Sequence, residues 1–403
     1  MSKSTFLAGQ PIFSQLISLF DKKIISSCVQ LYNSDRYYKK FNTYHHLLTM
    51  LYACFQNCTS LREVVTGLSA WEGKLQCVNI NHYPTRSTLS DANKNRNYEV
   101  FEKIFYKLLD RYRKLLPDSR CNDPFIKRLI IIDSTTISLF KEILKGIGHR
   151  AKNGKKKGGI KAHMASKPSE DVPYLVKFSP GAYSDSPFMK QLNPPAGSIV
   201  VMDRGYHNYK CLNEWKTSGV DWVMRIRKSA YYEVKENLIV SEEEVKQGVI
   251  SDQLIIMGVL NGQIERVECR LVKYYDAKMN KTFEFICSSQ EWSALKIAQL
   301  YKQRWQIELL FKRLKQNTTL EYFLGDNENA IKIQIFCALI CDLLLQIALL
   351  KIKRKWAHSN LCSFIRIHLM NYFHLKDFLN DPDKIKVKTP PPQNNQLKLK
   401  LSG

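Results

Sequence analysis

Over the first 120 residues apolar side chains recur at helical spacing and rarely alternate: Phe13, Leu16, Ile17 and Phe20, then Leu47, Leu48, Leu51 and Cys54, then Phe101, Ile104, Phe105, Leu108 and Leu109. The pattern predicts an all-helical domain over 1–120. Within it Ser60 and Glu63 form a capping box that opens a short helix through Leu68. After Pro84 a second short helix would start on Thr85 or Ser87 and end near Lys94 and Arg96. The two could form a helix-turn-helix, with Arg86 on the groove-reading helix. Ordinary helical packing with a polar outer face explains the same residues.

From about residue 128 the period changes. Short β runs are expected at 129–132, 159–165, 174–178, 199–202 and 222–226, with a helix over 206–217 between the last two, so strands come first and a β-α-β crossover follows. Between about 228 and 290 the chain reads as β-rich. The Asn261-Gly262 dipeptide joins the run 254–260 to the alternating Val267, Cys269 and Leu271, a hairpin signature, and 283–287 would add a strand. The apolar run 333–350 is broken by Gln334, Asp342 and Gln346, so it is expected as a buried helix and not as a membrane span. A basic, Pro-interrupted tail over 381–403 is expected to be disordered.

One helical stretch carries an unusual polar stripe. Tyr301, Arg304, Glu308 and Lys315 have offsets that place them within roughly 60° of arc on a single helix, and Lys312 joins them, while Ile307, Leu310 and Leu314 take the opposite side. A solvated face laced by Arg304–Glu308 and Glu308–Lys312 pairs would look alike. Two aspartates change the weighting. Asp133 in LIIIDSTT and Asp203 in SIVVMDRGY stand at the carboxyl ends of apolar strands, where an α/β core places its chemistry, although each alone could be a turn residue. Three carboxylates from three elements can hold two divalent ions and so act on a phosphodiester.

Charge points the same way. The chain carries 61 Lys+Arg against 37 Asp+Glu, a formal +24, which calls for a polyanionic partner. Nucleic acid is favoured over membrane, because neither a basic amphipathic anchor nor a signal peptide is recognisable. The lysine-rich stretch 141–161, with Lys155, Lys156 and Lys157, is expected as a loop edging the crevice and tracking a DNA backbone. Eleven cysteines without a C-x-x-C pair argue for packed thiols in a reducing cytoplasm. His163 and His207 lack paired metal spacing and read as structural.

Asp133, then Asp203 in an Asp-Arg-Gly-Tyr context, then Tyr301-x2-Arg304-x3-Glu308-x6-Lys315, resembles the DDE transposases of the IS-four insertion-sequence family with their tyrosine-arginine-glutamate-lysine (YREK) signature. The amino-terminal block beginning GQPIFSQLISLFDKK resembles the helical domain ahead of the catalytic core in one subgroup, so the likeness spans all but about the last twenty residues. It implies an α/β fold with an RNase H-like catalytic core over 121–380, interrupted by a β-rich insertion at about 228–290 and preceded by the helical, DNA-binding domain. It implies that Asp133, Asp203 and Glu308 are catalytic metal ligands for two Mg2+ ions, with Mn2+ able to substitute. Tyr301, Arg304 and Lys315 would grip terminal phosphates, with Lys312 and Arg204 as further DNA contacts. The implied reaction is cleavage at the ends of an insertion sequence followed by strand transfer. Partners would be double-stranded DNA, as terminal inverted repeats and target, and a second copy of the chain in a homodimer. The implied location is the cytoplasm, on the nucleoid.

One departure stands out. Some relatives hold a flipped base on a tryptophan near the strand before the signature helix, but TFEFICSS has none, leaving Phe283, Phe285 or the more distant Trp222 as stacking planes. Trp292 and Trp305 read as packing residues. Two other functions fit the same residues: an RNase H-like nuclease that cleaves without joining, and a non-catalytic DNA-binding regulator.

Overall fold

The caps written in the amino-terminal sequence fold as expected. The computed structural model describes residues 9–384 except 81, 117–122, 139–147, 151–155, 169, 259–264, 319, 321 and 351, and gives the backbone alone for 137–138, 148–150, 156–158 and 384. Helices α1 (Ile12–Ile17), α2 (Lys22–Tyr32), α3 (Thr43–Gln56), α4 (Leu61–Ser69), α5 (Arg86–Asn95) and α6 (Glu99–Tyr112) form the amino-terminal region, and the short α7 (Pro124–Arg128) leads into the sheet. Ser60 caps α4 by accepting from the Glu63 N–H, and the Glu63 carboxylate reaches back to the Thr59 N–H at 2.7 Å. Thr85 caps α5 in the same way, through the Thr88 N–H.

Ten strands follow: β1 (Leu129–Ser138), β2 (Gly148–Arg150), β3 (Lys156–Lys167), β4 (Val172–Pro180), β5 (Ile199–Met202), β6 (Asp221–Arg225), β7 (Tyr232–Leu238), β8 (Val249–Met257), β9 (Val267–Asp276) and β10 (Lys281–Cys287). They form one sheet in the order β2-β3-β1-β5-β6-β10-β9-β8-β7, with β4 also paired to β3. β1, β3 and β4 are an antiparallel meander, whereas β5 and β6 run parallel to β1, connected through α8 (Ser186–Met189) and α9 (Tyr209–Thr217). The Asn261-Gly262 turn lies outside the described residues, but the strands it was expected to join do pair, Met257 opposite Val267. Because β10 pairs with β6, strands β7–β10 extend the same sheet. The lysine-rich stretch expected as a loop differs in part: its end is β3, because residues 160–166 find partners on both β1 and β4.

After α10 (Glu242–Lys246), which precedes β8, the remaining helices are α11 (Ala294–Lys302), α12 (Trp305–Asn317), α13 (Glu328–Leu349), α14 (His358–His368) and α15 (Leu375–Asn380). Strand alternation sorts the core into two halves. Leu129, Ile131, Ile199, Val201 and Val223 pack with the helices of the amino-terminal region and α11–α13, while Ile130, Ile132, Val200, Met202, Trp222 and Met224 pack with α8 and α9. α13 is apolar on all sides because it is surrounded: 89% of its apolar window is buried inside the protein, against α3 and α6 among others. The tail residues 385–403 lie outside the described residues.

Candidate active site

The parallel register brings two acids together. Ile132 of β1 lies opposite Met202 of β5, and Asp133 and Asp203 are the next residues on these neighbouring strands, which in any sheet lie about 4.8 Å apart. Asp133 is not a strand end, as expected from its apolar run, since β1 continues to Ser138 by pairing with β3 alone. What ends beside it is the parallel pairing. By alternation both aspartates follow residues that face α8 and α9, so they turn to the side covered by α11 and α12.

The stretch expected as one helix from Tyr301 to Lys315 is two helices. The Gln303 and Arg304 N–H groups bond the carbonyls three residues back, Leu300 and Tyr301, and this tighter turn separates α11 from α12. Tyr301 is pinned at the end of α11, its ring 4.7 Å from that of Phe285 on β10, while α12 lies along β1 and buries Ile307, Leu310 and Leu314. The turn thus lets two helices serve two strands.

The polar groups converge all the same. The Arg304 guanidinium donates to Asp133 Oδ2 at 3.0 Å and, through its other terminal nitrogen, to Glu308 Oε1. The Tyr301 hydroxyl donates to Asp203 Oδ1 at 3.2 Å, and the Ser134 N–H donates to Asp133 Oδ1 at 2.8 Å. Burial pushes the Asp133 carboxyl up to about 6. The Ser134 N–H and Arg304 oppose that rise, and the Asp203 and Glu308 charges add to it. Burial also raises the Tyr301 hydroxyl to about 12, so it stays protonated and can donate. Burial works against the Arg304 charge, but Tyr301, Glu308 and Asp133 hold its proton more firmly than usual. Beside these groups opens a cleft of about 530 Å³ lined by Asp133, Ser134, Glu308, Phe311, Lys312, Lys315 and Gln316. Tyr301 and Arg304 therefore spend donors on the acids, whereas Lys312 and Lys315 face the cleft.

Among the described residues no three His, Cys, Asp or Glu side chains stand together as a ready-made metal cage, because the Arg304 guanidinium lies between Asp133 and Glu308. The donor chemistry nevertheless suits a hard divalent cation. Three carboxylates crowd against one arginine, and burial lifts Asp133, with the charges of Asp203 and Glu308 adding to that rise.

Arg204, directly after Asp203, is exposed and lines a second groove of about 570 Å³ together with Arg225, Lys228, Lys273, Lys281 and Phe283. The last five were not singled out as cations or groove residues from sequence, except Phe283 as a stacking plane. Arg225 ends β6, Lys228 follows it in a turn, Lys273 is on β9, and Lys281 and Phe283 are on β10, and only the β6–β10–β9 pairing assembles them. The Phe283 ring has the Arg225 guanidinium 5.4 Å and the Lys281 ammonium 5.6 Å from its centroid. Phe285 is buried against Tyr301, and Trp222 is a core residue, fully buried, with its ring N–H on the Leu212 carbonyl, so neither presents a face to a ligand. Trp292 packs on Phe125 as expected, but Trp305, the first residue of α12, is 58% exposed.

Arg86 lies exposed on the first turn of α5. Lys155 lies outside the described residues, and of Lys156 and Lys157 only the β3 backbone is described. His163 stacks on Phe188 and bonds Ser179 at 2.8 Å; burial lowers both His163 and His207 to about 4, in keeping with structural roles.

The chain is similar to several known proteins. The chain is 28% identical over 279 residues to a Sinorhizobium fredii protein named as a transposase, y4zB, covering 66% of this chain and 72% of that one. It is 24% identical over 352 residues to a Geobacillus stearothermophilus protein named as the transposase of insertion sequence element IS5377, covering 86% and 85%. A Synechocystis protein named as the transposase of element IS4SA is 27% identical over 266 residues, covering 65% and 71%. The solved piggyBac transposase synaptic complex with hairpin DNA overlays with a TM-score of 0.43 and 12% identity, over 97% of this chain and 88% of that one. Residues 8–78 match a family described only as a domain of unknown function (DUF4372). Residues 124–344, which hold Asp133, Asp203 and Glu308 and make up more than half of the chain, match the transposase DDE domain, and the chain belongs to that family.

Proposed function

We propose that this DNA transposase cleaves the ends of an insertion sequence and transfers the freed strands to target DNA, as a member of the IS-four group with its YREK signature. The observation that carries the reading is the convergence of Asp133, Asp203 and Glu308, from β1, from the end of β5 and from α12, on one face of the sheet. The order β4-β3-β1-β5-β6, a meander followed by two parallel strands, supports an RNase H-like core. On this reading 121–380 is the catalytic domain, 228–290 its β-rich insertion, and 1–120 a helical domain that adds DNA contacts through Arg86 and its neighbours.

Asp133, Asp203 and Glu308 would hold two Mg2+ ions, or Mn2+ in their place, which when bound supply activation of an attacking oxygen and stabilisation of the leaving one. The protein's own groups do the rest. Arg304 offers a planar fork that can pass from carboxylate to phosphate, and Lys312 and Lys315 set point charges along the cleft. Tyr301 holds Asp203 in place through its hydroxyl. The basic groove from Arg204 to Lys281 extends this charge away from the acids and follows a DNA backbone. Two element ends must meet in one synapse, so the working unit is at least a homodimer, acting on the nucleoid.

Glu308→Gln tests the proposal. With labelled duplexes carrying the inverted repeats that flank the reading frame, the variant is expected to bind DNA normally and to lose cleavage by roughly three orders of magnitude or more. Cleavage at the unaltered rate would sink the catalytic assignment of Glu308, whereas DNA binding without any cleavage by the unaltered protein would favour the regulator. End cleavage by the unaltered protein without joining would favour the nuclease.

A further inference from the structure

A fourth carboxylate stands behind the sheet. Asp185 precedes α8 in the N-cap position, yet its side chain makes no capping bond to that helix. It turns instead to the backs of both acid-bearing segments. Asp185 Oδ1 accepts from the Ser134 hydroxyl at 2.9 Å and from Lys161 Nζ at 3.0 Å, with His163 Nδ1 3.7 Å away. Lys161 is fixed in turn by the Tyr183 carbonyl at 2.8 Å. Asp185 Oδ2 rests against Gly205, two residues after Asp203, so closely that a Cβ there would stand 2.9 Å away.

Ser134 couples this carboxylate to the site. Its hydroxyl is held by Asp185 on one side of the sheet, and its N–H donates to Asp133 Oδ1 on the other. The turn carrying Asp203 is bounded by the same carboxylate through Gly205. Lys161 balances the Asp185 charge, so Asp185 adds geometry to the site without adding to its excess of negative charge.

We infer that Asp185 is a positioning residue that braces the segments bearing Asp133 and Asp203 from behind, fixing the separation and aim of the two carboxylates for a divalent cation. The inference rests on the proposed role of those acids. Groups that orient a metal ligand commonly alter metal affinity ten- to a hundredfold when removed, and a ligand displaced by about half an ångström is already out of its productive geometry.

The test is Mn2+ binding to the DNA-free protein by titration calorimetry, with thermal unfolding measured on each sample. Asp185→Ala is expected to weaken Mn2+ binding by roughly ten- to a hundredfold while the metal-free melting temperature changes little. Ser134→Ala should weaken it in the same direction. Asp185→Asn keeps an oxygen for Ser134 and Lys161 and should recover most of the loss, which a purely steric role would also permit; Ser134→Ala therefore has to show the effect as well. Gly205→Ala should weaken binding by pushing the Asp185 carboxylate off its partners, and should add little in the Asp185→Ala background. Unchanged Mn2+ affinity in Asp185→Ala and Ser134→Ala, with Glu308→Gln weakened, overturns the bracing role alone. An unaltered protein that binds no Mn2+, or a Glu308→Gln variant that binds it as well as the unaltered protein, overturns the metal-site reading beneath it.

Discussion

α12 has an arginine-centred charge network on each of two sides, and they are built differently. On the side facing β1, Arg304 stands before Asp133 and Glu308, with Asp203 close behind, next to an open cleft. On the other, Arg313 is gripped by Asp342 of α13 at 2.9 Å and by Asp171, while His358 of α14 sits 3.1 Å from the second Asp342 oxygen and Gln346 donates to the first at 2.9 Å. The two buried acids respond in opposite directions. Burial works to raise Asp342, but Arg313 and His358 outweigh it and hold the carboxyl low. Burial raises Asp133 too, and there two further acids help it against a single arginine. The Arg313 network satisfies its charge and locks α12 to the core. The Arg304 network keeps an excess of negative charge that protein groups do not neutralise, which is what a cation site requires and what a merely stable protein avoids.

Removing one partner from the satisfied network should cost most. Asp342→Ala removes the buried carboxylate that Arg313 and His358 share, leaving Arg313 only Asp171, and is expected to lower stability in urea unfolding by about 3–5 kcal/mol. A loss under about 1 kcal/mol would mean that Arg313 finds other partners and that the contrast between the two sides is false. The unsatisfied network should behave in reverse. The native Asp133 carboxyl, near 6, binds protons more tightly than an unfolded one near 3.8, so its contribution to stability falls as pH rises through that window and the penalty is complete above pH 6. Asp133→Asn should therefore stabilise the metal-free protein by about 1–3 kcal/mol at pH 7.5 and by almost nothing at pH 4. Equal effects at the two pH values in denaturant titrations would remove the electrostatic explanation. The smallest effect is expected in the basic groove. Arg225→Ala with Lys281→Ala should reduce DNA affinity alike for all sequences and lower the slope of log affinity against log salt by about 1–2. A gel-shift series with an unaltered slope would show that the groove does not follow phosphates.

Much of this was legible one-dimensionally. The helical period, the capping box at Ser60, the N-cap at Thr85 and the apolar runs of β1 and β5 are local, and they folded as they read. The signature around Glu308 was legible as spacing, yet the break between α11 and α12 was not. No proline or glycine marks it, and it follows from Tyr301 packing on β10 while Ile307 and Leu310 pack below β1. Asp185 left no trace in pattern or spacing, because its partners Ser134, Lys161 and Gly205 come from three other segments. Trp305 misled, since an aromatic residue beside an apolar stripe reads as packing whether or not the fold covers it.

The amino-acid sequence alone determined which residues could do the chemistry, since carboxylates, cations and apolar period are properties of side chains and their spacing. Which of them meet was decided only by the tertiary structure. The Ile132–Met202 register sets Asp133 beside Asp203, and the packing of α12 on that face brings Glu308 within reach of the same arginine. Strand register and helix docking are set by contacts between segments far apart in the chain, and a linear pattern does not encode how closely those contacts bring charges together.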